Sequence, residues 1–151
     1  MKIGVISDTH GYLDSRVEEI FNGVDRILHA GDVGRTGVLL GLEGIAPTDA
    51  VFGNMDNSPV MEQTRERLVL DIDGVRIGLA HGGGSPLTII RRLREMFEKD
   101  NVNIIVYGHT HRPEQQEIDG IYFFNPGDGR KNVGIIETDG KGGFFARIEI
   151  I

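Results

Sequence analysis

The sequence predicts an α/β (α+β) fold in which two sheets pack face to face and the helices lie outside them. The first half of the chain alternates short continuous apolar runs with helical segments, a pattern typical of buried parallel strands. The second half contains mainly strand-like segments separated by Asp-Gly turns. With 151 residues, of which 39% are hydrophobic and 26% charged, we expect a single domain over residues 1–151.

Three apolar runs in the first half are predicted strands, and each ends in polar residues. The runs are KIGVIS, DRILHAGD and TDAVFGN. Between the first two, Asp14 can cap a helix that continues to about Asn22 and stops at Gly23. A second helix is predicted over Arg35–Glu43, between the second and third runs.

The second half begins with a predicted hairpin, RLVLDIDGVRIGLAHG, which turns at Asp73-Gly74. Pro86 is predicted to open a helix that Ser85 caps. The apolar residues at helical spacing in this helix are Leu87, Ile90, Leu93 and Phe97. NIIVYGHTH is a further predicted strand, and strand-like segments alternate with turns from there to Ile151.

Composition and charge narrow the classes of function. The net charge of -7 argues against a stable nucleic-acid complex, because such binding depends on neutralising phosphates. No apolar run approaches the roughly 20 residues that span a bilayer, and MKIGVISD resembles a buried strand more than a secretion signal. We therefore expect a cytoplasmic protein without a membrane partner. Edge strands in the glycine-rich tail would permit a homodimer.

The ends of five predicted strands carry side chains of the metal-ligand type. In order, they read Asp8-x-His10, Gly31-Asp32, Gly53-Asn54-x-Asp56, His81-Gly82 and Gly108-His109-x-His111. Ligand sites in open α/β sheets lie beyond the carboxyl ends of strands, so all five should meet at one rim. Four of the five histidines belong to this set, and the absence of cysteine leaves only nitrogen and oxygen ligands.

Imidazole, carboxylate and amide groups suit Mn, Fe, Zn or Ni. Seven such ligands with one shared carboxylate would hold two ions about 3.5–4 Å apart, the spacing that clamps a phosphoryl group. Each motif also has an ordinary interpretation, because Asp and His are common in turns and Asp32 could cap the following helix. The ordinary interpretations explain the pattern only if all five motifs occur in this order and at one rim by coincidence.

The ordered motifs resemble those of the calcineurin-like metallophosphoesterase superfamily, which read D-x-H, G-D, G-N-H-[DE], H and G-H-x-H. The short chain is similar to the small single-domain phosphodiesterase branch, and the resemblance extends from Met1 through the NPGD turn and the tail. It implies the metallophosphoesterase fold, a four-layer α/β/β/α sandwich of two mixed sheets. It also implies a phosphodiesterase that hydrolyses a small phosphodiester.

The resemblance further implies the ligand set and the mechanism. Two divalent ions are expected, from among Mn, Ni, Fe and Zn with Mn favoured, and a hydroxide that bridges them would attack phosphorus. The expected ligands are Asp8, His10 and His111 for the first ion, Asn54, His81 and His109 for the second, and Asp32 for both. The residues expected to take part in catalysis are Asn54, which could hold a phosphate oxygen, Asp56, which could orient its neighbours, and His81.

The chain departs from the superfamily pattern at two positions. Met55 stands where the pattern has a histidine that protonates the leaving oxygen or stabilises the transition state, and a thioether can do neither. We therefore expect an activated or self-protonating substrate, since a general acid typically contributes about 10²–10⁴-fold. Gly83 stands where many relatives have a second histidine after His81, which should leave more open space.

Several neighbouring residues are secondary candidates. His29 has no ligand role in the pattern and is predicted to be structural. Asn125 belongs to a turn that resembles the N-P-G-S turn of the superfamily, in which Asp128 replaces serine. Basic residues that lie close enough in sequence to meet substrate phosphate oxygens are Arg112, Arg130 and Lys131.

Two other functions share this fold. A retromer subunit is a non-catalytic scaffold that has lost key ligands, whereas all seven ligand positions are intact here. DNA-repair nucleases usually add a capping domain and a basic surface, and protein phosphatases typically keep the histidine that Met55 replaces. Both alternatives are therefore less favoured than a small phosphodiesterase.

Overall fold

The computed structural model describes Met1 to Ile151 and contains ten strands and four helices. The strands are β1 (Lys2–Ile6), β2 (Arg26–His29), β3 (Thr48–Ala50), β4 (Arg67–Ile72), β5 (Val75–Ala80), β6 (Ile104–Val106), β7 (Glu114–Ile118), β8 (Ile121–Asn125), β9 (Asn132–Thr138) and β10 (Phe144–Ile150). The helices are α1 (Arg16–Ile20), α2 (Thr36–Glu43), α3 (Ser58–Gln63) and α4 (Ile89–Met96). None of these helices has the length and apolarity needed to cross a membrane.

The strands form two mixed sheets of five strands each. The first sheet has the order β10-β9-β1-β2-β3, in which β1, β2 and β3 are parallel and β9 and β10 are antiparallel. The second has the order β4-β5-β6-β8-β7, with parallel β5, β6 and β8 between antiparallel edge strands. The prediction of two mixed sheets is confirmed.

Three apolar clusters hold these elements together in four layers. Between the sheets, thirteen buried residues pack together, among them Val5 from the first sheet and Ile77 from the second. The outer face of the first sheet packs against α1, α2 and α3, and the outer face of the second sheet packs against α4. Successive residues of one strand pack into different clusters on its two faces, as Ile104 and Ile105 do. This explains the continuous apolar runs, because both faces of each central strand are buried.

The first helix is shorter than its sequence predicts. Helix α1 begins at Arg16 after Ser15, although the Asp14 carboxylate accepts the backbone N–H of Arg16 at 2.9 Å and thus caps the preceding turn. The segment ends at Gly23, whose φ of 78° marks the left-handed conformation that glycine adopts without strain. The predicted stop is therefore correct.

The sequence predicted the start of helix α4 incorrectly and did not predict helix α3. Helix α4 begins at Ile89, because residues 86–88 form a turn in which Ser85 accepts the backbone N–H groups of Thr88 and Ile89. This turn leaves Leu87 95% exposed and ahead of the helix, so its predicted place at helical spacing within the helix was wrong. Helix α3 was not predicted, because it is one and a half turns long and buries only Val60.

Candidate metal centre

All seven predicted ligands lie together beyond the carboxyl ends of the central strands. Single ligand atoms of Asp8, His10, Asp32 and His111 all lie within 4.8 Å of one another. His111 Nε2 is 3.3 Å from Asp8 Oδ1 and 3.3 Å from His10 Nε2. We call these three residues, Asp8, His10 and His111, the first group.

Asn54, His81 and His109 form the second group. The side-chain oxygen Oδ1 of Asn54 is 3.0 Å from His81 Nε2 and 3.3 Å from His109 Nδ1. Asp32 lies between the groups, since its Oδ2 is 3.3 Å from His81 Nε2 and 3.9 Å from His10 Nε2. This is the position that a carboxylate shared by two ions would need.

Glycines allow the loops of the two sheets to approach closely at this rim. A Cβ atom on Gly31 would lie 2.7 Å from Nδ1 of His81, on the facing sheet. A Cβ atom on Gly108 would collide with Ser7 Oγ and lie 2.6 Å from Asp8 Oδ2. The glycines of the G-D and G-H motifs are therefore required to bring the ligand-bearing loops together.

Most of the candidate ligands adopt a backbone conformation that is uncommon for residues other than glycine. The φ angles are 56° at Asp8, 48° at His10, 53° at Asp32, 70° at His109 and 62° at His111. Asp and His tolerate this left-handed region better than most residues do, yet such positions cost on the order of 1–3 kcal/mol each and cluster at functional sites. The fold thus places side chains here at the expense of backbone strain.

The Asp8 carboxylate makes the first group suited to a cation. Its Oδ2 accepts hydrogen bonds from Ser7 Oγ at 2.7 Å and from the His109 backbone at 3.2 Å. Its Oδ1 is buried without a hydrogen-bond partner, and no other side-chain nitrogen or oxygen atom of the protein is in this state. Burial raises the pKa of Asp8, although the hydrogen bond from Ser7 opposes the shift. A cation beside Oδ1 would remove this penalty, so the residues present fit a divalent ion.

Backbone carbonyls set the tautomers of both histidines in the second group. His81 Nδ1 donates to the Ala30 carbonyl at 2.8 Å, and His109 Nε2 donates to the Gly84 carbonyl at 3.0 Å. The opposite nitrogen of each ring faces Asn54 and would become a lone-pair donor to a metal ion on losing its proton. Such hydrogen bonds to the second ring nitrogen are characteristic of metal-binding histidines.

Asp32 and His81 influence each other's protonation. Burial would raise the pKa of Asp32, but the hydrogen bonds from His81 and the Met55 backbone, together with the nearby histidine charges, outweigh it and lower the pKa. Burial would likewise lower the pKa of His81, but the hydrogen bond and the negative charge of Asp32 raise it. The shared carboxylate is therefore ionised, as a metal ligand must be.

Asp56 connects two loops of the site and does not touch the ligand atoms. Its carboxylate accepts backbone N–H groups from Val33 at 3.1 Å, Gly34 at 2.8 Å and Gly53 at 2.8 Å. It therefore fixes the loop that carries Asp32 relative to the loop that carries Asn54. A direct part for Asp56 in catalysis stays a prediction.

His29 is a structural histidine, as predicted. Its Nδ1 accepts the Gly31 backbone N–H at 3.1 Å, and its Nε2 lies 3.0 Å from Thr9 Oγ1, which in turn donates to the Val33 carbonyl at 2.8 Å. Burial lowers the pKa of His29 to about 3, so the ring is neutral. This chain of hydrogen bonds joins the loops that follow β1 and β2.

The NPGD turn supports the loop after β6. Asn125 Nδ2 donates to the Gly108 carbonyl at 3.0 Å and to Thr110 Oγ1 at 3.1 Å, beside two of the ligands. Asp128 binds Arg130 through both carboxylate oxygens at 2.8 Å. The Arg130 guanidinium is thus occupied by a carboxylate rather than free for a substrate phosphate. The Arg112 guanidinium has no such partner, and the side chain of Lys131 is exposed.

The two departures from the superfamily pattern leave space beside the second group. Met55 is 68% exposed, and its backbone N–H donates to Asp32 Oδ1 at 2.9 Å. A Cβ atom on Gly83 would have no neighbour within 4 Å. A cavity of about 180 Å³ adjoins Asn54 and His81. Its other lining residues are Phe52, Gly53, Glu66, Ala80, Gly82 and Met96.

Sequence reasoning missed the contribution of Ser7, Ala30 and Gly84 to this site. Ala30 and Gly84 act through backbone carbonyls, which leave no signal in residue type. Ser7 immediately precedes the D-x-H motif, and its hydroxyl could have been recognised as a partner for the neighbouring carboxylate.

Comparison with known proteins identifies the family. Residues 1–140 match the model of the calcineurin-like phosphoesterase superfamily domain. The chain therefore belongs to this superfamily, and the predicted family and fold are confirmed.

Relatives and solved structures agree with this assignment. A probable metallophosphoesterase of Methanothermobacter thermautotrophicus is 39% identical over 134 residues, which cover 84% of this chain and 76% of that protein. A phosphodiesterase of Methanocaldococcus jannaschii is 29% identical over 164 residues, which cover 93% of this chain and 95% of that one. Vps29 of Entamoeba histolytica, crystallised with Zn²⁺, superposes with a TM-score of 0.77 over 99% of each chain at 21% identity, a likeness of fold alone.

Proposed function

We propose that the protein is a phosphodiesterase that binds two divalent ions, with Mn²⁺ favoured, and hydrolyses a small phosphodiester. The arrangement of the ligands carries this proposal: two groups share the Asp32 carboxylate, and the first contains the unpartnered buried oxygen of Asp8. The relatives named metallophosphoesterase and phosphodiesterase support the reaction class.

Asp8, His10 and His111 would hold the first ion, Asn54, His81 and His109 the second, and Asp32 both. When bound, the two ions would neutralise phosphate charge and lower the pKa of a shared water so that hydroxide is available as nucleophile at neutral pH. Nickel, iron and zinc suit the same donors, so availability would decide which metal is used.

The residues of the chain would orient both reactants. The Asn54 side chain directs Oδ1 toward His81 and His109, which leaves its amide Nδ2 free to donate to a phosphate oxygen. The carbonyls of Ala30 and Gly84 keep the two histidine rings in place. Asp56 positions the loop of Asn54 through backbone N–H groups.

The site favours substrates whose leaving group needs no proton. The thioether of Met55 cannot donate one, and the four histidines of the two groups are engaged as ligands. An activated ester, or a diester that protonates its own leaving oxygen, would therefore react fastest. This preference argues against a protein phosphatase, whose serine or threonine alkoxide leaves poorly.

If the protein were instead a non-catalytic scaffold, it would not need to bind metal ions. The seven ligand positions are all present and assembled, whereas a scaffold has no need of an unpartnered buried carboxylate.

We also propose that any homodimer forms through β10, an edge strand on which Phe145 and Ile150 are exposed. No stable nucleic-acid complex and no membrane association is proposed, since the protein carries a net charge of -7.

A single experiment tests the proposed function. Protein purified without chelator is analysed for metal by mass spectrometry and assayed against bis(p-nitrophenyl) phosphate, p-nitrophenyl phosphate and cyclic nucleotides with Mn²⁺, Ni²⁺, Zn²⁺ and Fe²⁺. We expect close to two ions per chain and hydrolysis of the activated diester above the monoester. Protein that binds metal yet hydrolyses no diester with any of the ions would contradict the proposal.

A further inference from the structure

One face of helix α4 is directed at the second group. Arg92 and Met96 are four residues apart and so lie along one side of the helix, and Thr88 precedes the helix four residues before Arg92. Met96 lines the cavity that Asn54 and His81 adjoin. A Cβ atom on Gly84 would lie 2.9 Å from Thr88 Oγ1 and 3.0 Å from both Cζ and Nη1 of Arg92. The guanidinium of Arg92 therefore rests on the backbone of Gly84.

Only one peptide carbonyl separates this guanidinium from a candidate ligand. The carbonyl of Gly84 accepts the hydrogen bond from His109 Nε2 at 3.0 Å. Gly84 has a φ of 79°, so a side chain at this position would both strain the loop and displace Arg92. Gly83, next to it, has open space where a Cβ atom would stand. The loop that separates Arg92 from His109 is therefore thin and carries no side chain at Gly83 or Gly84.

Arg92 is free to bind an anion. Seven arginines of the chain are paired with carboxylates, as Arg94 of the same helix is with Asp119 at 2.7 Å. Arg92 makes no ion pair and no side-chain hydrogen bond. An unpaired guanidinium beside a phosphoesterase centre offers the forked donor geometry that binds phosphate oxygens in pairs.

We propose that Arg92 binds the leaving phosphate of a substrate whose scissile bond is a phosphoanhydride, as in a dinucleoside diphosphate. The inference rests on the proposed phosphodiesterase function and narrows its substrate class. A site without a proton donor needs a leaving group that departs as a stable anion. Phosphate is such a group, and Arg92 is an unpaired cation that contacts Gly84, the hydrogen-bond partner of His109.

The chemical step balances without an acid. Hydroxide forms a bond to one phosphorus, and the bond from that phosphorus to the bridging oxygen breaks. The bridging oxygen keeps the electron pair and leaves as part of a nucleoside monophosphate dianion, which Arg92 binds. The attacked phosphorus keeps the hydroxyl group, so the products are two nucleoside monophosphates.

Two substrates that share one nucleotide separate this role from general phosphate binding. P1,P2-dithymidine diphosphate releases thymidine 5′-phosphate, whereas p-nitrophenyl thymidine 5′-phosphate releases p-nitrophenolate, whose charge is delocalised over its ring. We expect Arg92→Gln to lower kcat/KM about 100-fold for the first substrate, as the loss of one preorganised donor does, and less than about tenfold for the second. Arg92→Lys should restore part of the loss, because lysine keeps the charge but not the fork.

Arg91→Gln is the matched control. It removes the same charge from the neighbouring residue, which lines an open groove with Leu87, Glu95 and Glu98 on another side of the helix and has no ion pair. Arg35→Gln removes another unpaired guanidinium, whose Nε would lie 3.2 Å from a Cβ atom on Gly11, beside the first group. Neither variant should change the ratio of kcat/KM between the two substrates.

Calorimetric binding of thymidine 5′-monophosphate to metal-free protein gives a readout that does not depend on turnover. Arg92→Gln should weaken this binding about tenfold, which corresponds to roughly 1.4 kcal/mol, and Arg91→Gln should not. The assignment of Arg92 would be overturned if Arg92→Gln lost equal activity on both substrates, if it lost none, or if Arg91→Gln had the same effect. Hydrolysis of the p-nitrophenyl ester by the wild type would in each case still support the phosphodiesterase. A wild-type protein that hydrolyses neither substrate contradicts the proposed function itself, and nucleotide binding that depends on Arg92 would then still support the anion site.

Discussion

The first and second groups differ in charge, although they share Asp32. The first contains the buried Asp8 carboxylate, with one oxygen unpartnered. The second contains no carboxylate of its own, and its Asn54 and His109 lie at an open cavity and a glycine loop. A divalent ion is therefore attracted to the first group by two carboxylates and to the second by only the shared one.

This difference in charge predicts different roles for the two metal positions. A group with a carboxylate of its own favours tight binding of a cation. A neutral group whose rings are oriented by carbonyls leaves room for a substrate to enter. We expect the first ion to bind more tightly and the second to exchange more readily, so a metal titration should show two unequal steps.

The largest expected effect comes from removing the residue that both groups share. Asp32→Asn keeps the shape of the side chain but removes its charge, so both ions should be weakened. We expect kcat/KM for bis(p-nitrophenyl) phosphate to fall about 10³-fold, or roughly 4 kcal/mol of transition-state stabilisation. Metal analysis of the same protein should show less than the wild-type content.

Asp119→Asn is the matched control for this variant. Asp119 has a φ of 49°, close to the 53° of Asp32, but its side chain is 70% exposed. Its substitution should leave metal content and turnover unchanged. An Asp32→Asn protein that retains two ions and full activity would show that the groups do not depend on a shared carboxylate.

A smaller effect is expected at the second group, where an added proton donor should widen the substrate range. Met55→His places an imidazole at a position that is 68% exposed and adjoins Asn54. Turnover of a diester with an alkoxide leaving group should rise by about 10²-fold, whereas p-nitrophenyl esters should change little. Met61→His, at another exposed methionine on α3, is the control. If Met55→His raises the turnover of no substrate, the missing acid does not limit this site.

Sequence order alone brings the seven ligands to one rim, because parallel strands end on the same side of a sheet. Asp8 and Asp32 follow neighbouring strands of the first sheet, and His81 and His109 follow neighbouring strands of the second. The sequence could not show that Asp8 Oδ1 lacks a partner, since this depends on how closely Ser7 and the loop after β6 approach. Arg92 was missed for the same reason: only the folded helix α4 brings it to Gly84.

The smallest expected effect would isolate the charge that distinguishes the first group. Asp8→Asn replaces the unpartnered Oδ1 with a neutral group and keeps an acceptor for Ser7 and a residue type that tolerates the φ of 56°. Metal-free Asp8→Asn should therefore be more stable than the metal-free wild type by about 1 kcal/mol. The measurement is urea unfolding in the presence of chelator.

Adding Mn²⁺ should reverse the order of stability. The wild type gains binding free energy from both ions, whereas Asp8→Asn should gain less, because its first group has lost its own charge. Asp119→Asn again provides the comparison and should respond to Mn²⁺ as the wild type does. If metal-free Asp8→Asn is instead less stable than the wild type, then the buried oxygen is not under strain in the metal-free protein. The contrast between the two groups would then reduce to their net charge.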